Sequence, residues 1–293
     1  MTTHLYSPGR LRITPHSAAA LDDHVLPLGF TDTGLAAVNL DEDRHVLVTG
    51  PASSGKATVA RALAAYLLAQ GWGAIITGRR VRRDYGNLAG WANAHVRETE
   101  EAEAEDLRTL VQAEVMRRFE IMRAVRAEHR DLIGYEPRRY FWPLVLVEDG
   151  DLPFSAECLA YYCGSAAVHI VQVVQADQIK ERGDCHRFFT TWIVTARPGR
   201  TISEQTWGQL FPRQVSPPVR TGPHVSIAGE AAAPRPLESS YCDHVDLELC
   251  AAAGAALAVT QDEHRSMQLA EVLGTRPGAV GPAPAWLLRG GDL

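Results

Sequence analysis

Residues 50–58 read Gly50-Pro51-Ala52-Ser53-Ser54-Gly55-Lys56-Ala57-Thr58, and they follow the apolar run His45-Val-Leu-Val-Thr49. A helical pattern extends from Thr58 to Gln70 directly after them. A strand, a glycine-rich loop and a helix in this order are the context of a phosphate-binding loop, or P-loop. The loop N–H groups turn towards phosphate, and the helix adds the positive end of its dipole. The segment predicts a nucleotide site; the alternative is a Gly/Ser turn that caps an ordinary helix.

The two residues after Gly55 bear on the chemistry of this site. Lys56 is one of two lysines in the chain, and a P-loop lysine pairs with phosphate as a point charge. The next position ordinarily carries Ser or Thr, whose hydroxyl ligates Mg²⁺, but here it is Ala57. Thr58 lies about 100° further around the helix axis, so we do not expect its hydroxyl to replace the missing one. The expected consequence of Ala57 is weak metal binding, and not loss of nucleotide binding.

The composition is that of a globular protein. The chain has 293 residues, of which 46% are hydrophobic and 22% charged. No apolar run approaches the ~20 residues of a membrane span, no signal peptide is recognisable, and five cysteines form no C-x-x-C pair. These features predict a cytoplasmic location. The net charge of −6 does not favour DNA binding by the whole surface. One basic cluster is either a solvated patch or a local nucleic-acid contact; it consists of Arg79, Arg80, Arg82 and Arg83.

Apolar runs alternate with helical patterns along most of the chain. Strands are predicted over residues 26–30, 35–39, 45–49, 74–77, 143–147, 167–174, 188–195 and 225–228. Helices are predicted over residues 58–70, 98–129, 156–163, 245–259 and 262–273. Because the central strands are not joined by hairpins, we predict an α/β fold with a mostly parallel β-sheet and helices on both faces. We divide the chain into an N-terminal extension (1–25), a main domain (26–242), and a helical C-terminal segment with a Gly/Pro-rich tail (243–293).

Acidic residues follow one of the predicted central strands. The run Pro143-Leu-Val-Leu-Val147 is followed by Glu148, Asp149 and Gly150. In P-loop ATPases an Asp at this place holds Mg²⁺, and a Glu after it polarises the attacking water. Either Asp149 is the metal ligand and Gly150 replaces the base, or Glu148 and Asp149 form a swapped pair. In both registers we expect slow turnover or none, because losing a general base costs about 10²–10⁴ in rate.

The next predicted strand ends in a polar residue, Gln175. Parallel sheets bind ligands at the carboxyl ends of their strands, so Gln175 is placed near the P-loop. Its amide either senses the γ-phosphate through a hydrogen bond or simply caps the strand.

Over roughly residues 26–242 these segments, in this order, resemble the motor domain of the FtsK/SpoIIIE family of DNA translocases. The resemblance is carried by Leu26-Pro-Leu-Gly-Phe30, His45-Val-Leu-Val-Thr-Gly50, Pro143-Leu-Val-Leu-Val-Glu-Asp149, Val168-His-Ile-Val-Gln-Val-Val-Gln175 and Gly199-Arg-Thr-Ile202. It implies a RecA-like P-loop NTPase fold that assembles as a ring of six and pumps double-stranded DNA. Relatives serve chromosome segregation, plasmid transfer and type VII secretion.

By the family pattern, Gly50, Gly55 and Lys56 would bind the phosphates of ATP, Asp149 would hold Mg²⁺ and Gln175 would sense the γ-phosphate. The chain departs from the pattern at Ala57 and Gly150, and also at Thr77-Gly-Arg79, where relatives often show Asp-Pro-Lys. No arginine finger is assigned; the candidates are Arg187, Arg197 and Arg200.

These observations favour an ATP-binding protein that is associated with DNA translocation or transfer in a plasmid, an integrative element or a phage. Hydrolysis is expected to be weakened or absent, so whether the chain is an enzyme stays open. It would act as a homo-oligomeric ring or as the partner of an intact ATPase. Two alternatives are a fully active ATP-driven translocase of double-stranded DNA and a scaffold subunit that works without nucleotide.

Overall fold

A central β-sheet flanked by helices forms the body of the molecule, with two smaller sheets beside it. The computed structural model describes residues 6–7, 10–22, 24–40, 45–88, 91, 93–98, 101–128, 141, 143–149, 164–179, 189, 191–195, 224–227 and 235–273.

Within the described residues the central sheet has eight strands. In spatial order they are β12 (Arg235–Pro236), β11 (His224–Ile227), β10 (Thr191–Val194), β5 (His45–Gly50), β9 (Val168–Gln175), β8 (Leu144–Asp149), β6 (Gly73–Gly78) and β7 (Ala94–Glu98). The six strands from β10 to β7 run parallel, whereas β11 and β12 pair antiparallel at one edge. The predicted mostly parallel sheet is therefore confirmed.

The central strands are buried on both faces. Every residue of β5 and β6 is buried, which explains why these strands read as continuous apolar runs instead of alternating patterns. Successive side chains point to opposite faces of a sheet. Val46 and Val48 accordingly belong to one hydrophobic core, and Leu47 belongs to a second.

Helices cover both faces, as predicted. The helices of the described chain are α1 (Pro15–Ala18), α2 (Lys56–Ala69), α3 (Val81–Tyr85), α4 (Glu101–Glu128) and α5 (His244–Leu273). Helix α2 contributes to the core of Val46 and Val48, and α4 contributes Val111 and Val115 to the core of Leu47. Nearly all positions of α2 from Val59 onward are buried, because the sheet packs on one side and α5 on the other.

The contact between α2 and α5 is very close at Gly254. A Cβ atom on Gly254 would overlap the carbonyl oxygen of Leu68 in α2. Only a residue without a side chain lets the two helix backbones approach in this way. Gly254 therefore sets the spacing of the two helices that cover this face of the sheet.

A second, three-stranded sheet combines strands from the N-terminal and the C-terminal parts of the described chain. It contains the predicted hairpin, β3 (Val25–Thr31) and β4 (Gly34–Asn39), with β13 (Glu238–Ser239) paired to β3. The short strands β1 (Tyr6–Ser7) and β2 (Arg10–Leu11) precede it. Arg12 then donates hydrogen bonds to Asp246 at 2.6 Å and to Asp243 at 3.0 Å, which connects residues near the start of the chain to α5.

Several elements differ from the sequence-based expectation, among them short ones that were not predicted: β1, β2, β12, β13 and α1. The two helices predicted over 245–259 and 262–273 are one continuous helix, α5, because Leu257 and Gln261 lie beside Gly71 at the end of α2. The strand β7 and the short helix α3 were not predicted. The helix expected over 156–163 and the tail after residue 273 lie outside the described residues. No helix in the described part combines the length and apolar character needed to cross a bilayer.

Candidate nucleotide-binding site

The loop between β5 and α2 has a backbone that depends on its glycines. Gly50 has a φ of 149° and Gly55 a φ of 90°, and the non-glycine Ser53 between them has a φ of 58°. A Cβ atom at Gly50 would overlap the carbonyl oxygen and the hydroxyl of Thr195. At Gly55 the space is open, so there the left-handed conformation alone favours glycine. The loop has the left-handed turns through which backbone N–H groups form an anion-binding concavity.

Ser54 fastens the loop to the neighbouring strand. Its hydroxyl lies 2.5 Å from the hydroxyl of Thr195, which itself donates to the carbonyl oxygen of Thr49 at 3.0 Å. Because the single proton of Thr195 is used for Thr49, Ser54 is the donor in the first contact. The Ser54 side chain therefore holds the loop in place, and its hydroxyl proton is not available to a ligand.

Lys56 is the first residue of α2 and is half-buried in the loop. Its ammonium donates to the carbonyl oxygen of Gly50 at 3.1 Å and to that of Pro51 at 2.9 Å. These contacts hold the charge over the loop, in the lining of an open cavity of about 530 Å³. The placement is the one that the sequence motif predicts for a lysine that pairs with phosphates.

The N-terminus of α2 opens into the same cavity. Gly55 is the N-cap, and the first bond of the helix runs from the N–H of Val59 to the carbonyl oxygen of Gly55 at 3.1 Å. The first turn contains no acidic residue that would neutralise the positive end of the helix dipole. The backbone N–H groups of Lys56, Ala57 and Thr58 are therefore placed to donate hydrogen bonds to a bound anion.

The sheet contributes its carboxyl edge. Gln175 pairs in register with Gly50, and the N–H of Ala176 donates to the carbonyl oxygen of Gly50 at 3.2 Å. Gln175 is half-buried and lines the cavity together with Val173. Gln175 and the loop thus meet as expected, although the choice between a sensor and a strand cap stays a prediction.

The acidic pair lies at the same edge of the sheet. The backbone of Glu148 pairs with Gln172, and that of Asp149 pairs with Val173. Both partners belong to β9, which lies between β8 and β5, the strand that leads into the loop. The structure describes the backbone at these two positions, and Gly150 lies outside the described residues. Both registers considered for the metal ligand and the base therefore stay open.

Part of the cavity lining was not predicted. Beyond the P-loop and Gln175, the lining includes Arg79, Arg80, Arg83 and Asp84. The sequence showed these arginines as a cluster, but it did not place them at the site. A signal was present, because the cluster directly follows the carboxyl end of the predicted strand 74–77, the same edge at which the P-loop begins. Thr195, the partner of Ser54, carried no such signal.

The described residues do not fit a magnesium ion well. Ala57 lines the cavity at the position that ordinarily supplies a metal hydroxyl, and its methyl group has no oxygen to offer. Within the described chain no three His, Cys, Asp or Glu side chains group as a metal site. Nucleotide sites hold Mg²⁺ with one or two protein ligands together with water and phosphate oxygens, so the missing hydroxyl at position 57 removes one of few protein ligands. Asp149 remains the predicted ligand.

No protein-family model matches the sequence, and no curated protein matches it. Solved structures with a similar fold do exist. The pCW3 conjugation coupling protein TcpA, in its monomer form with ATPγS, is 18% identical with a TM-score of 0.60; the match covers 82% of this chain and 72% of TcpA. The cytoplasmic domain of EssC is 16% identical with a TM-score of 0.59, over 81% of this chain and 48% of that one.

A third similar structure is the cytoplasmic domain of the type VII secretion ATPase EccC from Thermomonospora curvata. It is 14% identical with a TM-score of 0.55, and the match covers 85% of this chain but 34% of EccC. The chain thus spans about half of EssC and a third of EccC. At these identities the likeness establishes the fold, and the three neighbours are FtsK/SpoIIIE-type P-loop ATPases. The chain accordingly has the RecA-like fold of the FtsK/SpoIIIE-type P-loop ATPases.

Proposed function

We propose that the chain binds ATP in the cavity between the P-loop and Gln175. The observation that carries this proposal is the loop itself: its glycines adopt the left-handed conformations, and Lys56 is held over it at the N-terminus of α2. The cavity of about 530 Å³ is within the size range of small-molecule sites. The similarity to TcpA, whose structure contains ATPγS, supports the same assignment.

In this proposal the residues have separate roles. The backbone N–H groups of residues 52–58 and the ammonium of Lys56 hold the phosphates, and Gln175 lies near the terminal one. Bound ATP would supply a γ-phosphoryl group for transfer to water. Asp149 is the residue that would hold Mg²⁺, and Ala57 makes that ion weakly bound. Hydrolysis is therefore slow or absent, since neither register of Glu148 and Asp149 restores the usual ligand and base.

We further propose that the chain is located in the cytoplasm and takes part in DNA translocation or transfer. The similarity to a conjugation coupling protein supports this part of the proposal, and the similarity to type VII secretion ATPases indicates protein translocation as the competing role. The chain would work as a homo-oligomeric ring or beside an intact ATPase that supplies the missing catalytic groups.

The test of nucleotide binding is thermal unfolding with and without ATP. A ligand at about one hundred times its Kd stabilises the folded state by about 2.7 kcal/mol, which for a chain of this length raises Tm by about 4 °C. We expect this shift in the wild type and its loss in Lys56→Ala. The control is Arg82→Ala, which removes an exposed cation that does not line the cavity. A wild-type Tm that ATP does not change would refute nucleotide binding and favour the scaffold alternative.

The test of the DNA role is the rate of ATP turnover with and without duplex DNA. Stimulation by DNA above the basal rate would favour the fully active translocase. A low rate that DNA does not change, in a protein that shows the ATP-dependent shift, is the outcome expected for a nucleotide-binding subunit.

A further inference from the structure

Outside the P-loop, much of the cavity lining is cationic. Arg79 and Arg80 directly follow β6, Arg83 belongs to α3, and all three line the cavity while being exposed to solvent. We call these three residues the arginine wall. The cavity lining also contains Lys56 and one carboxylate, that of Asp84. An oxygen of this carboxylate lies 3.9 Å from a guanidinium nitrogen of Arg61. Among the described residues that line the cavity, positive side chains therefore clearly outnumber negative ones.

The fold determines which arginines reach the cavity. Helix α3 is anchored by Val81 and Tyr85, which are fully buried, and this fixes its other faces. Arg83 lies on the cavity side, whereas Arg82 lies 3.8 Å from Glu98 and does not line the cavity. The arrangement therefore separates arginines of the same short helix into one that faces the site and one that does not.

The charge of the arginine wall compensates for what the metal position lacks. A triphosphate carries about one negative charge on each phosphate and most of a second on the terminal one, so its binding requires neutralising charge. Magnesium ordinarily supplies part of it, but Ala57 has no oxygen to ligate the ion. Guanidinium groups are always charged and bind phosphate oxygens in pairs, so they can provide the same neutralisation without a metal.

Building on the proposed ATP binding, we infer that Arg79, Arg80 and Arg83 neutralise the triphosphate in place of magnesium. The site then holds ATP without a divalent cation. This property separates binding from hydrolysis, because the nucleotide is retained in a state that lacks the metal used for phosphoryl transfer.

The direct test is calorimetric titration of the full chain with ATP in EDTA and in magnesium. We expect the Kd in EDTA to lie within about threefold of the Kd in magnesium. Binding that is weaker by more than about tenfold in EDTA would overturn the inference.

The second test removes the arginines. In EDTA, Arg80→Ala with Arg83→Ala is expected to weaken ATP binding by at least about tenfold, because charge-assisted hydrogen bonds to phosphate are lost. Arg82→Ala is the matched control and should bind like the wild type. Both substituted side chains are exposed, so the fold should persist; Tm without ATP verifies this, and Arg79→Gln replaces the double variant if it does not. Wild-type affinity in the arginine-wall variants would contradict the inference.

The outcomes distinguish the two proposals. No ATP binding in either buffer would refute the proposed function itself. Binding that needs magnesium, with no effect of the arginine-wall substitutions, would refute the metal-independent site while leaving nucleotide binding intact.

Discussion

Lys56 and Ala57 are neighbours at the start of α2, and they affect the site in opposite ways. Lys56 keeps its ammonium over the loop through the carbonyl oxygens of Gly50 and Pro51, which is the placement needed to pair with phosphate. Ala57 places a methyl group in the cavity lining where a hydroxyl would be needed for the metal. Binding and catalysis thus depend on different residues of a single helical turn.

Restoring the hydroxyl tests this separation. We expect Ala57→Ser to raise magnesium-dependent ATP turnover by about tenfold or more, which corresponds to about 1.4 kcal/mol of the barrier. The measurement is steady-state phosphate release over a range of magnesium concentrations. Ala69→Ser makes the same chemical change at the far end of α2 and should leave turnover as in the wild type. Unchanged turnover in Ala57→Ser would locate the limitation at residues 148–150 instead.

For individual residues, the sequence predicted the loop itself well, but it did not predict the distant residues that hold the loop in place. The order of strand, glycine-rich loop and helix identified residues 50–58, because every part of that motif is contiguous. Ser54 is held by Thr195, which is 141 residues away, and no local pattern connects the two. The arginine wall was visible as a cluster, but the side of α3 on which Arg83 lies follows from the packing of Val81 and Tyr85, which the sequence does not show.

The helices α2 and α5 approach each other very closely where Gly254 meets Leu68. Gly254→Ala would put a methyl group into the carbonyl oxygen of Leu68, so the helices must separate. We expect a loss of about 1–3 kcal/mol in the free energy of unfolding, as for other overpacked positions, measured by urea denaturation. Gly86→Ala is the matched control: its φ of −61° suits any residue, and the space around it is open. Equal stability of the two variants would contradict the close contact.

Helix α4 carries a buried ion pair on the other face of the sheet. Arg118 is completely buried and donates to Glu114 at 2.6 Å and to the carbonyl oxygen of Ala166 at 2.9 Å. Burial alone would raise the pKa of Glu114, but the hydrogen bond from Arg117 and the charge of Arg118 outweigh it and hold that pKa below its ordinary value. The carboxylate is therefore the form that the folded state favours.

This pair makes a prediction for pH dependence. Since the pKa of Glu114 is lower in the folded state than in the unfolded chain, its stabilisation is present above the unfolded value and is lost as the pH falls through the folded one. Glu114→Gln leaves the buried Arg118 without its charge partner, and we expect it to cost about 3–5 kcal/mol at neutral pH. The cost should shrink in acid. Glu120→Gln, on an exposed position of α4, is the control in the same urea series.

The predicted elements agree with the structure where burial dominates the sequence pattern. The inner strands of the sheet are mostly apolar and buried, so their positions could be read to within a few residues. The edge strand β7 was missed because Ala94-His-Val-Arg-Glu98 mixes polar and apolar residues, as a strand covered on fewer sides can. The break predicted near residue 260 reflects polar residues at 260–263, and packing of α5 beside Gly71 overrides it.

On the scale of the whole molecule, sequence-distant segments share one hydrophobic core. Leu11 and Ile13, which the sequence assigned to an extension, belong to the same core as α2 and the central sheet, as do Leu247 and Cys250 of α5. We propose that the three segments predicted from the sequence unfold together. A core shared in this way cannot lose one segment without exposing apolar surface of the others.

The corresponding prediction is a single cooperative transition. Far-UV circular dichroism reports the helices, including α5, while tryptophan fluorescence includes the buried Trp72 and Trp192, which belong to the two different cores. We expect both signals to follow one curve in urea, with the same midpoint and slope. ATP should move that single midpoint without splitting it, since the P-loop directly connects β5 and α2, which both contribute residues to the shared core. An early loss of helical signal, before the fluorescence changes, would show that α5 is a separate unit, and ATP would then raise only the later midpoint.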